Sequence, residues 1–233
     1  MNRNSERGSV LFYILIAVVL LAALSYAVAQ SGRGSISAVN EEKSKLVAGE
    51  IMEYANAIGN AVAQLRLRGI KDTDLCFDDD NWGVLNYPNA SCSDDTKKIF
   101  HLKGGGVTWR KAPAEAMDPA AAPDYLWHIY GSNEIDEVGT TCGADSCDDL
   151  ILVVDELSLQ VCQQINESLH VTGPAAVPPG DTSLDEARFT GVYNFQETIG
   201  DDVNGAELRG KTAGCFLNGA TSKYVFYKVL VSR

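Results

Sequence analysis

Residues 10–29 read VLFYILIAVVLLAALSYAVA, a run without one charged side chain. Coiled as an α-helix at about 1.5 Å per residue, it would extend roughly 30 Å, the depth of a bilayer's hydrocarbon core. Arg3 and Arg7 precede it and no comparable basic cluster follows at once, a bias that holds the N-terminus on the cytoplasmic side and sends the rest outside. Beyond it, residues 36–68 contain no proline, and Val47, Ile51, Tyr54, Ile58, Val62 and Leu65 recur at steps of three and four. That spacing predicts an amphipathic continuation of the same helix with one apolar stripe. A rival reading takes the run as a secretory signal cut after Ala29, because Ala27-Val28-Ala29 offers small residues before Gln30. The apolar run exceeds the usual length of a signal core, which favours an anchor.

The leader MNRNSERG (1–8) followed by SVLFYILIAVVLLAAL (9–24) resembles the N-termini of type IV pilin-like proteins and pseudopilins. The resemblance implies cleavage by a prepilin peptidase between Gly8 and Ser9, N-methylation of Ser9, and an assembly helix opening with Val10, Leu11, Phe12, Tyr13 and Ile14. It implies other pilin or pseudopilin subunits and the inner membrane as partners, and a structural part in a type IV pilus or a type II secretion pseudopilus. One position departs from the family: the fifth residue after the cut is Tyr13, where pilins usually carry a glutamate that pairs with a neighbour's N-terminal amine. A lipid-buried carboxylate is costly unless paired. Its loss is associated in such systems with a minor subunit at the filament tip, and it is equally the best support for a tethered periplasmic binding module that does not polymerise.

The expected organisation is therefore a leader at 1–8, a transmembrane helix at 9–30, its amphipathic continuation at 31–68 and a periplasmic head at 69–233. After Gly69 the chain breaks into short segments separated by turn signals such as Pro88-Asn89 and Gly104-Gly105-Gly106. YLWHIY (125–130) and LILVV (150–154) have strand length and composition, residues 157–169 have helical spacing, and 214–217 with 223–231 read as a closing hairpin around Asn218-Gly219. The fold class expected is α+β: a long N-terminal helix, transmembrane then amphipathic, packed in the pilin manner on a small antiparallel sheet with loop insertions.

With 31 Asp and Glu against 19 Lys and Arg, a net charge of −12 excludes a nucleic-acid surface, which needs clustered cations. Six cysteines, Cys76, Cys92, Cys142, Cys147, Cys162 and Cys215, all follow the apolar run, and their even number suits an oxidising compartment. Of the 15 connectivities that six allow, the preferred set joins Cys76 to Cys92, Cys142 to Cys147, and Cys162 to Cys215. Acidic clusters offer oxygen ligands of the kind Ca²⁺ takes from loops, and Asp78 and Asp80, or Asp145 and Asp149, are the candidate positions, although neither has EF-hand spacing. Gly205 to Thr212 (GAELRGKT) matches the phosphate-loop pattern by letter, but a polar segment precedes it and a strand-like one follows, where that motif requires a strand and then a helix. His101, His128 and His170 stand singly, and no nucleophile elbow is present, so the chain reads as a structural protein and not an enzyme.

Overall fold

A computed structural model describes residues 7–78, 89–121, 124–182 and 184–233, with side chains at 12–26 and from 40 onward within those ranges. The chain divides into two compact units, Met1–Lys43 and Ser44–Arg233.

Helix α1 is Arg7–Leu67. In the first unit the side chains of 12–26 are exposed all round. In the second, residues 44–67 of α1 bury the predicted stripe: Ile51, Ile58, Val62 and Leu65 have no exposed area, and Val47 and Tyr54 are buried with them. Helical periodicity places these residues on one side, and that side packs on the sheet with Trp127, Ile129, Leu152, Val154 and Phe226. Tyr54 fixes the contact with a polar handle, its hydroxyl donating to the Thr108 carbonyl and accepting from the Arg110 amide, 3.0 Å each.

The sheet has six strands: β1 (His128–Ile135), β2 (Asp149–Leu157), β3 (Gly180–Asp181), β4 (Glu197–Ile199), β5 (Ala213–Asn218) and β6 (Lys223–Val231), in the order β3-β5-β6-β2-β1-β4. The four central strands pair antiparallel, whereas β3 on β5 and β4 on β1 are parallel. Helix α2 (Leu159–Ser168) follows β2, capped by the Ser158 side chain, and is bonded to β5 by the Cys162–Cys215 disulfide. The Asn166 amide acts like a further strand residue, donating to the Cys215 carbonyl at 2.7 Å and accepting from its N–H at 2.8 Å.

The expected fold is corrected here. The head is built on a six-stranded mixed sheet, not a small antiparallel one, and it curls into a nearly closed barrel. Its edges meet through side chains: the Gly200 amide donates to Asp181 Oδ2 at 2.7 Å and the Thr182 amide to Asp202 Oδ2 at 2.6 Å. Curling explains why strands alternate between two apolar layers, Ile129, Leu152 and Val154 toward α1 and Tyr130, Ile151 and Val153 toward the inside with Phe216, Val225 and Tyr227. The transmembrane half is corrected as well, because among the described residues no helix is long and apolar enough to cross a membrane.

Candidate functional site

Two parts of the molecule carry unusual physical chemistry. The first is the apolar segment of α1. Phe12, Tyr13, Ile14 and Leu15 follow one another and are 61%, 68%, 58% and 58% exposed, so no side of the helix is sheltered. The rings of Phe12 and Tyr13 stand edge to face at 6.3 Å. Gly8, Ser9, Val10 and Leu11 lie in the same helix, with side chains outside the described set. A helix that is apolar all round is one that something else must cover.

The second is a group of carboxylates at the end of β1 and the start of β2, next to the small loop closed by Cys142–Cys147. Glu134 is 2% exposed, and its carboxylate accepts from the amides of Cys142 and Gly143, at 3.1 Å each, and from the Thr198 hydroxyl at 2.8 Å. It thereby ties the disulfide loop to β4. Asp149 is buried and uses both oxygens on backbone, accepting from Ile135 N and Arg233 N at 3.0 Å each. Arg233 is locked in turn: its guanidinium sits 3.9 Å from the centre of the Tyr193 ring, and its Nε is 3.6 Å from Asp72.

Asp148 differs from these neighbours. It has no exposed area, yet among the described residues neither carboxylate oxygen has a hydrogen-bond partner. Desolvation, followed by repulsion from Asp145 and Glu134, pushes its carboxyl up to about 7. Desolvation also raises Asp149 to about 6, against the lowering effect of its two backbone donors. Near neutral pH this pocket therefore holds or releases a proton with little bias.

The sequence-derived candidates fall as follows. Asp145 is exposed and caps Phe195 N at 2.9 Å, while Asp149 braces the backbone as described, so both already have structural work. Asp78 is half-buried, and Asp80 lies outside the described residues. The cysteines form the three preferred bonds, Cys76–Cys92, Cys142–Cys147 and Cys162–Cys215, with no cysteine left free, and their oxidation fits a location outside the cytoplasm. GAELRGKT runs through a 3-10 turn (Val203–Leu208) and a left-handed Gly210 directly into β5, so no helix N-terminus faces a phosphate there. Sequence reading missed Glu134, and it took Asp148 only as part of the acidic stretch from Asp145 to Asp149, without singling it out. Their available signal was polarity inside strand segments: an Asn-Glu pair in HIYGSNEI, and an Asp pair abutting LILVV.

Comparison of the chain with protein-family models, curated proteins and solved structures finds no match.

Proposed function

We propose that the chain is an assembly subunit, a minor pilin or pseudopilin trimmed after Gly8. The observation that carries this reading is the unsheltered apolar helix. Eleven large apolar residues between Phe12 and Tyr26 stand exposed, and burying each is worth roughly 1.5–3 kcal/mol. Left in water they would drive aggregation, so the segment calls for the matching helices of other subunits around it. The leader ending in Gly8, the disulfide-braced acidic head and the absence of nucleic-acid character agree with a subunit that works by binding and assembly outside the cytoplasm. Tyr13 in the place of the usual glutamate supports a tip position, and also the second reading, a tethered module that never polymerises.

The test is the mass and N-terminal sequence of protein from its own host, joined to cross-linking of its neighbours. A start at Ser9 carrying a methyl group, with cross-links to other pilin-like chains, is the expected result. A start at Gln30 would overturn the proposal and leave a secreted head. A Ser9 start without pilin-like neighbours would favour the non-polymerising module.

A further inference from the structure

Away from the carboxylates described above, the sheet brings together a set of ligands that no single sequence motif contains. Asp124, His128 and Asp155 each offer one atom, and the three atoms lie within 4.8 Å of one another. Strand register puts them there. His128 opens β1 opposite Val153 of β2, and Asp155 lies two residues further along β2, so the two side chains share a face on diagonal positions. Asp124 precedes His128 by four residues and returns its Oδ2 to 3.3 Å from His128 Nε2.

The residues are also held where they are. The His128 ring is 8% exposed and lies parallel to Tyr130, 9° between planes and 5.9 Å between centres, which restricts its rotation. Beside Asp124, Tyr125 takes φ of 61°, and beside Asp155, Glu156 takes φ of 57° at the register shift between Val154 and Leu157. The shift is a bulge, with two residues of β2 facing one of β6, and it bends the strand locally. Independently of the three, the neighbouring Glu156 is buried, and among the described residues its Oε2 has no hydrogen-bond partner, its other oxygen pairing with Lys223. Three carboxylates, one imidazole and one ammonium leave this corner with surplus negative charge.

We propose that Asp124, His128 and Asp155 bind a divalent first-row transition metal ion, of which Zn²⁺ is the representative. A tetrahedral ion with arms of about 2.0–2.1 Å places its ligand atoms roughly 3.3 Å apart, and the His128–Asp124 separation already has that value. The imidazole selects against Ca²⁺ and Mg²⁺, which take oxygen only. Three protein ligands leave one position for water or for a donor group from a partner. A second cluster of this kind among the described residues, Glu134 with Cys142 and Cys147, supplies no thiolate because the sulfurs are bonded to each other. The inference stands independently of the assembly reading.

The experiment is equilibrium dialysis of the untagged full chain, held in detergent and stripped of metal, against Zn²⁺ with metal counted by mass spectrometry. The expected result is one tightly held ion per chain. Asp124→Asn, a change at a half-exposed side chain, should weaken it by at least the roughly 10–100-fold that loss of an outer-shell partner costs, and His128→Ala should abolish it. Asp145→Asn, in the other acidic group, should leave it unchanged. No bound ion, binding that survives both site variants, or binding that follows Asp145 would each overturn the proposal. Far-ultraviolet circular dichroism reports whether His128→Ala has folded, and if it has not, Asp124→Asn alone decides.

Discussion

Replacing Asp148 by asparagine tests the buried-carboxylate reading directly. In the folded head the carboxyl titrates at about 7, whereas in the unfolded chain it titrates near its ordinary value of about 3.9. Between those two pH values the folded state binds the extra proton, so stability falls as pH rises through this window, and the loss is complete above about pH 7. Three pH units correspond to a ceiling of about 4 kcal/mol. Asp148 is inaccessible but close in the chain to exposed Asp145, and screening there reduces the effect to about 2 kcal/mol. Asparagine keeps the shape and cannot ionise. The full chain in detergent, with disulfides intact, is unfolded with urea at pH 5 and pH 8 and followed by near-ultraviolet circular dichroism. The window between pH 5 and 7 is about two-thirds of the whole, so relative to the parent the variant should gain about 1.3 kcal/mol at pH 8 compared with its standing at pH 5. Asp149 titrates in both proteins and largely cancels. An offset between parent and variant that is equal at the two pH values would refute the reasoning, because only an ionisation can make it depend on pH.

Two further outcomes follow from the packing. Removing the Cys162–Cys215 bond by the double change to serine frees a loop with a sequence separation of 53, which by chain entropy costs about 4 kcal/mol; in thermal melts without reductant, which keep the other two disulfides closed, the variant's midpoint should fall well below the parent's. Glu134→Gln keeps the volume but weakens the acceptor for the Cys142 and Gly143 amides, so hydrogen exchange at those two amides should speed by roughly 10-fold, matching about 1.5 kcal/mol for a charge-assisted bond, while exchange at Leu152 in the sheet centre stays the same.

Much of the head was legible because its strongest signals are local. The stripe from Val47 to Leu65 depends only on helical period, and β6 announces itself by KYVFYKVLV. Strand β1 was misplaced for a physical reason. Its expected span, 125–130, follows the aromatic residues, but the strand runs on through Gly131, Ser132, Asn133 and Glu134, all buried. These polar residues are tolerated inside because distant partners satisfy them: the Ser132 hydroxyl donates to Asp185 at 2.6 Å, and Asn133 exchanges hydrogen bonds with the Asp185 backbone at 2.9 Å. Nothing in residues 131–134 discloses a partner about fifty positions away. Strands β3 and β4, with two and three residues, carry no periodicity at all and exist only because β5 and β1 offer open edges. The same applies to ligand geometry, since Asp124 and His128 are neighbours on the chain but Asp155 joins them only through the register of β1 and β2.

The strand order also governs when the head can form. Strand β6, Lys223–Val231, is the last of the six described strands to be synthesised, yet it lies between β5 and β2 and pairs with both. Until it arrives, β1 and β2 can make a hairpin and β5 waits with an open edge, but no ladder joins the two halves. A nascent chain halted before residue 223 is therefore two incomplete sheet fragments with exposed borders, and commitment to the native barrel comes in one step once β6 has been delivered.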